Sequence, residues 1–437
     1  MKKAFVIAAP MSGSGKTTVS RALMALCREQ GLRVQPFKCG PDYIDTKFHA
    51  AVCGRPSVNL DTFMADAEHV RQLFHHYGKD ADVCIVEGMM GLFDGYDRDR
   101  GSTAEIASVL GLPVVLVVDA RSAAYSVAPL LHGMVTFRPG VNIAGVIFNK
   151  VGSARHEEML RQACADAGLE CLGCLPRSTD LEQASRYLCL DFSQYTKTDA
   201  MLPLLKEHLQ WPFDFCASGN SYKSSMSYKS YKTYRPYMAN KPYTPPTGSV
   251  LVARNDEAFS FIYQQTLDRL APVTFFNPET DVPQLDGCQL LYLPGGYPEK
   301  HLAALVAAEP TRRAIREYAC RGGRIVAECG GMMYLCRSII TDEGTFPMCG
   351  VLPYDITARQ SDRRLSLGYR CFTLDGHEYR GHEFHYTQFA GPAPTSACTV
   401  YDAKGRPTAT PVIRWKNVLA SYTHLYPDNP AFNISET

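Results

Sequence analysis

Through its first half the chain alternates short, unbroken apolar runs with longer segments whose apolar positions recur every three to four residues. The runs at 4–9, 33–37, 83–86, 114–118 and 143–148 are rich in β-branched residues and end at Gly, Pro or charged positions. A run with no polar face predicts a strand covered on both sides. Strands of that kind separated by helical patterns predict a parallel sheet with helices on its faces. The segment 17–30 has the helical period and stops at Gly31. From 249 onward the alternation returns, with strands predicted at 250–253, 273–276, 290–293 and 324–327, and helical segments at 311–320 and 332–336.

Between the two halves the pattern lapses. Over 218–248 Tyr, Lys, Ser and Pro replace the aliphatic residues, leaving too little to bury against the entropy of ordering. The expected organisation is therefore a first domain at 1–211, a flexible linker at 212–248 and a second domain at 249–437. A length of 437 residues also exceeds what one core organises. Interleaved Lys and Tyr in the linker suit single-stranded nucleic acid, but a formal net charge of +1 gives no general case for nucleic acid or an anionic membrane. The 16 cysteines are scattered. Cys171 and Cys174 form a lone C-x-x-C without the second pair a zinc site needs, so they read as structural. The apolar start is too short for a signal peptide and runs into a phosphate loop, and nothing approaches 18 apolar residues. The expectation is a cytoplasmic protein with reduced thiols.

Two motifs carry chemistry. Ser12-Gly13-Ser14-Gly15-Lys16-Thr17-Thr18 follows a predicted strand and opens a predicted helix, where backbone amides and the helix N-terminus would cradle the phosphates of ATP. Lys16 would reach the β- and γ-phosphates and Thr17 would hold Mg²⁺. Pro10 stands where the strict pattern has glycine. Met11 stands where ParA-like and MinD-like ATPases carry an extra lysine, which counts against a ParA-like regulatory ATPase bearing an inactive second domain. Acids at strand ends, Asp42, Asp45, Glu87 and Asp94, would line the ligand crevice. Thr17, Asp42 and Glu87 are the expected metal ligands. Asp119 is a second candidate for the metal-side aspartate, and Asn149 for an adenine contact.

In the second half, strand 324–327 leads into Glu328-Cys329-Gly330-Gly331 and a helix, a nucleophile elbow whose helix N-terminus is expected to lower the thiol's pKa. Gly295 and Gly296, in the loop Pro294-Gly295-Gly296-Tyr297-Pro298, and Gly330 would stabilise an oxyanion. The base would be a histidine from 381–386, which holds His382 and His385, or His424. Triad glutaminases carry Glu two residues after the histidine. For His424 that position is Tyr426, which would leave a dyad.

The segments 12–18, 35–38, 40–45, 59–61, 87–95, 294–298, 328–331, 381–386 and 420–424, in this order, resemble the cobyrinic acid a,c-diamide synthase family of corrinoid biosynthesis. The resemblance implies an α/β fold: a P-loop, doubly wound parallel-sheet synthetase domain followed by a class I-like glutamine amidotransferase domain. It implies that ATP phosphorylates a peripheral acetate of a tetrapyrrole and that ammonia from glutamine displaces the phosphate. The implied acceptor is cobyrinic acid at its a and c acetates, with hydrogenobyrinic acid and nickel-sirohydrochlorin as close alternatives. Cys329 is then the nucleophile and His424 its base, in a branch that also lacks the third carboxylate. Asp42, Tyr43, Ile44, Asp45, Glu87 and Asp94 match the synthetase segments, with Tyr43 and Ile44 placed to select the reacting side chain. The implied partners are a small tetrapyrrole, ATP and glutamine, not nucleic acid or membrane, with a homodimer as a compatible assembly.

Overall fold

A computed structural model describes residues 3–177, 196–209 and 249–433. The segment predicted as a linker, 212–248, lies outside the described residues. Those described group into two compact units, one of 3–62, 66–177 and 196–209, the other of 63–65 and 249–433. No helix among the described residues is long and apolar enough to cross a membrane.

The first unit holds β1 (Lys3–Ala8), β2 (Val34–Cys39), β3 (Val58–Leu60), β4 (Val83–Glu87), β5 (Val114–Asp119), β6 (Ile143–Val151) and β7 (Cys171–Pro176). They form a parallel sheet in the order β3-β2-β4-β1-β5-β6-β7. Its helices are α1 (Lys16–Glu29), α2 (Ile44–Cys53), α3 (Ala67–Gly78), α4 (Thr103–Leu110), α5 (Val127–Phe137), α6 (Ala154–Asp166) and α7 (Thr196–His208). Val6 and Ala8 enter one core while Phe5 and Ile7 enter the other. Burial on both faces explains why these strands read as unbroken apolar runs. Because the connection leaving the central β1 runs to β2 on one side while that leaving its neighbour β5 runs to β6 on the other, the loops diverge and open a crevice at the carboxyl ends of the strands. Cys171 and Cys174 lie on β7 with their sulfurs 3.8 Å apart, packed on the core.

The second unit is built on a sheet of β8 (Ser249–Ala253), β9 (Val273–Phe276), β10 (Cys288–Leu293), β11 (Ile325–Glu328), β19 (Val412–Trp415) and β20 (Val418–Ser421). Their order is β19-β20-β11-β10-β8-β9, parallel except for β19. Its helices are α8 (Gln264–Leu270), α9 (Leu302–Ala307), α10 (Glu309–Cys320) and α11 (Gly330–Leu335). Two further sheets were not foreseen from the sequence. One joins β12 (Ser338–Thr341), β13 (Gly344–Pro347), β14 (Asp355–Thr357) and β17 (Gln388–Ala390); the other joins β15 (Ser366–Leu374), β16 (His377–His385), β18 (Tyr401–Asp402) and β21 (His424–Leu425). These strands are short or mix polar with apolar residues, so no apolar run announces them.

One buried ion pair ties β15 to β16. Arg370 donates to Glu383 through Nε at 2.9 Å and Nη2 at 2.8 Å, and the Ser366 hydroxyl donates to the same oxygen at 2.9 Å. Glu383 is fully buried. Arg370→Ala is expected to leave that charge uncompensated and destabilise the fold by about 3–5 kcal/mol. Urea unfolding of the full chain should show a lowered midpoint; an unchanged midpoint contradicts the assignment.

Candidate active sites

The phosphate loop leaves β1 and enters α1 at Gly15, whose φ is 95°. Ser14 donates from its hydroxyl to the Met11 carbonyl at 2.9 Å, and Asn149 donates to the Ser14 carbonyl at 3.1 Å. Asn149 therefore braces the loop. Ser12 and Gly13 are exposed, Thr18 is half-buried, and Lys16 and Thr17 are buried. Lys16 Nζ donates to the Met90 carbonyl, in the loop after β4. That loop lies against the phosphate loop, since Gly88 and Leu92 donate their amides to the carbonyls of Ile7 and Ala9, each at 2.8 Å.

Beneath the loop sits a buried charge cluster. Thr17 Oγ1 donates to Glu87 Oε1 at 2.7 Å and lies 3.3 Å from Asp45 Oδ2. Lys38, at the end of β2, donates to Asp45 Oδ2 at 2.6 Å and Glu87 Oε1 at 2.8 Å, and lies 3.7 Å from Asp42 Oδ2. His49 Nε2 is 2.7 Å from the other Glu87 oxygen and its Nδ1 is 3.1 Å from the Ser57 hydroxyl. Burial alone would raise Glu87, but Lys38 and His49 hold it well below its ordinary value.

Of the expected metal ligands, Thr17 and Glu87 are in contact, and Asp42 lies near them through Lys38. Asp45 comes against Thr17, while Asp42 Oδ1 accepts the amides of Ile44 and Asp45, both at 2.9 Å, and shapes the start of α2. Tyr43 precedes α2 and is buried; Ile44 begins it and is half-buried. Asp94 is exposed and accepts the Gly91 amide at 2.8 Å, closing its loop. Asp119 pairs with Arg121 at 2.9 Å and Lys150 at 3.1 Å. A hydroxyl with two carboxylates suits Mg²⁺, which keeps water and substrate phosphates as its other ligands. Among the described residues no group of three or more His, Cys, Asp and Glu forms a metal cage, and a phosphate-bound Mg²⁺ needs none. Lys38 and His49 went unassigned because their roles depend on which strand ends become neighbours. The one signal was a lysine next to the last residue of a strand buried along its whole length.

In the second unit Cys329 joins β11 to α11 with φ 45° and ψ −108°, a conformation costly for a non-glycine residue and characteristic of a nucleophile elbow. Its amide donates to the Ser421 carbonyl at 2.8 Å, which sets the elbow beside the strand leading to His424. The expected low thiol pKa is overturned. Burial pushes the Cys329 thiol up and Glu299 adds to the shift, while the Gly330 amide offsets only part of it. A helix of six residues in a dry pocket cannot outweigh desolvation, so a base must take the proton. Gly330 packs on the Pro-Gly-Gly loop, where a Cβ would lie 2.7 Å from the Gly296 carbonyl oxygen. Gly295 borders the His424 ring so closely that a Cβ would approach Nδ1 to 2.9 Å.

The register between β16 and β21 sets His382 opposite His424, with ring centroids 5.0 Å apart. His382 Nδ1 is 3.1 Å from the Tyr263 hydroxyl. His385 stacks on Tyr422 at 3.6 Å and its Nδ1 meets the Thr387 carbonyl at 2.9 Å. Burial holds the His424 ring down to about 3, a neutral imidazole able to accept a proton. Glu328, fully buried, is pushed up to about 8 by the same desolvation.

Each unit has a counterpart among known protein families. Residues 5–188 match the family model of the CobQ/CobB/MinD/ParA nucleotide binding domain, and 250–432 that of the CobB/CobQ-like glutamine amidotransferase domain. A hydrogenobyrinate a,c-diamide synthase of Mycobacterium bovis is 37% identical over 97% of this chain and 94% of its own. Its namesake in Streptomyces coelicolor is 38% identical over 89% and 88%, and that of Rhizobium meliloti 37% over 96% and 98%.

Gly295→Ala is expected to displace the His424 ring and cut glutamine-dependent turnover about 10²-fold, with ammonia-dependent turnover retained; equal rates with glutamine would contradict this. His424 also links stability to acid. Its folded pKa of about 3 lies below the ordinary 6.5, so the unfolded chain binds more protons between those values. The stability is complete above about 6.5 and drains as pH falls towards about 3. Thermal unfolding across that window should fall less steeply in His424→Gln than in the wild type.

Proposed function

The chain belongs to the family of CobB/CobQ-like glutamine amidotransferases that includes the hydrogenobyrinate a,c-diamide synthases, and on that premise we propose that it amidates the a and c acetates of a corrin ring through acyl-phosphate intermediates. The observation that carries the proposal is the presence in one chain of two complete sites. One is a phosphate loop whose Thr17 meets two buried carboxylates; the other is a strained cysteine elbow with His424 three residues beyond the end of the adjoining strand β20. A carboxylate is a poor electrophile, and phosphorylation by ATP gives it a leaving group. Catalysis of that transfer is positioning plus charge stabilisation.

Thr17, Asp45 and Glu87 would hold Mg²⁺, which supplies charge neutralisation at the phosphates when bound. Lys16 turns from the Met90 carbonyl to the phosphates of ATP. Tyr43 and Ile44 border the acceptor and select the acetate. In the second unit, His424 takes the Cys329 proton and the thiolate attacks the side-chain amide of glutamine. The Gly295, Gly296 and Gly330 amides steady the tetrahedral oxyanion. His424 then returns its proton to the leaving nitrogen, releasing ammonia, and water frees glutamate from the thioester. Attack by neutral ammonia on the acyl phosphate completes the amide.

The names of the relatives favour hydrogenobyrinate over cobyrinate as acceptor. The purified full chain, given ATP, Mg²⁺ and glutamine with hydrogenobyrinate, cobyrinate or nickel-sirohydrochlorin, is expected to convert two acids to amides on a corrin, read by mass; no amidation of any of the three would overturn the proposal. Cys329→Ala should lower glutamine-dependent amidation by about 10³-fold or more and leave the ammonia-dependent reaction intact. Lys16→Ala should abolish both, since phosphorylation precedes either nitrogen source. Loss of both in Cys329→Ala would assign that thiol a different role.

A further inference from the structure

Three strand ends converge on one buried carboxyl group. Glu328 closes β11, immediately before the nucleophile. Its Oε1 accepts the backbone N–H of Leu425, the residue after His424, at 3.0 Å. Its Oε2 accepts the Tyr292 hydroxyl at 2.8 Å, from the end of β10 that leads into the Pro-Gly-Gly loop. The same Oε2 lies 4.0 Å from Nδ1 of His424. Where a triad glutaminase has its carboxylate, two residues after the histidine, this chain has the buried Tyr426.

We propose that Glu328 supplies the third carboxylate of the glutaminase site, approaching His424 from the nucleophile's own strand. It is a positioning residue, and the inference rests on Cys329 and His424 acting as nucleophile and base. Its Oε1 fixes the backbone directly after His424 and so the aim of the ring. Its Oε2 faces Nδ1, which leaves Nε2 to receive the proton. When the S–H bond of Cys329 breaks and an N–H bond forms on the ring, a cation appears where water cannot solvate it. A carboxylate 4.0 Å away opposes that cost, and in a dry pocket the attraction is far stronger than in water. Burial raises the pKa of the carboxyl, so the role belongs to its ionised form, in which Oε1 and Oε2 both accept hydrogen bonds and the proton has gone to solvent before the thiol is deprotonated. The Tyr292 hydroxyl keeps Oε2 oriented in both states.

Glu328→Gln in the full chain keeps an acceptor for Leu425 and Tyr292 and removes only the charge. Its kcat for glutamine hydrolysis is expected to fall about a hundredfold, with KM nearly unchanged and ammonia-dependent amidation retained. The pH midpoint for alkylation of Cys329 by iodoacetamide should move upward, because loss of the counter-charge to the imidazolium outweighs the lifted repulsion between Glu328 and the thiolate. Tyr292→Phe retains the carboxylate and loses only one of its donors, so it should move that midpoint by much less. Full kcat in Glu328→Gln, or an equal shift of midpoint in Tyr292→Phe, overturns the inference. If Glu328→Gln fails to unfold cooperatively, Glu328→Asp decides instead: a wild-type midpoint supports the role of charge and a raised one refutes it. Active His424→Gln would sink the underlying dyad, whereas inactive His424→Gln beside fully active Glu328→Gln would sink only the inference.

Discussion

Each unit ends a central parallel strand in a carboxyl group that water does not reach, Glu87 at the end of β4 and Glu328 at the end of β11. Burying an ionised carboxylate costs several kcal/mol unless donors or charges converge on it. The surrounding residues meet that demand. Around Glu87 they are Lys38 from β2, His49 from α2 and Thr17 from α1, so satisfying one charge brings three separate segments to the phosphate loop. Around Glu328 they are Tyr292 from β10 and the Leu425 amide from β21, and the same convergence assembles the elbow, the glycine loop and the histidine.

The two carboxyls meet the demand in opposite ways. Glu87 is held ionised by the Lys38 ammonium and the His49 hydrogen bond, as suits a group meant to attract a cation. Glu328 has only neutral donors and a neutral histidine nearby, so its pKa rises. The first site is built to bind charge at rest, and the second to receive charge as it develops. That contrast suits the chemistry proposed for each half, polyphosphate binding in one and a transient thiolate–imidazolium pair in the other.

The sequence disclosed what depends on local pattern. Strands buried on both faces, such as β1 and β5, announce themselves as unbroken apolar runs, and the phosphate loop and elbow are contiguous in the chain. It was silent on what depends on distant neighbours. Lys38 and His49 gained roles only when β2 and α2 came beside β4, and it is Asp45 that meets Thr17, while Asp42 binds the start of α2 through Oδ1. The small sheet of β15, β16, β18 and β21 escaped notice because β15 and β16 bury side chains irregularly. The thiol pKa was misjudged for a physical reason: the helix N-terminus was weighed, and the desolvation of a buried sulfur was not.

Transfer of nitrogen from glutamine to an activated carboxylate is the central claim, and isotope labelling tests it most directly. The full chain would be given ATP, Mg²⁺, hydrogenobyrinate and glutamine labelled with ¹⁵N at the side-chain amide, in buffer containing unlabelled ammonium. The expected product carries ¹⁵N in each new amide, with one ATP consumed per amide formed. Product amides bearing only ¹⁴N, or glutamate released with no labelled amide, would contradict the account.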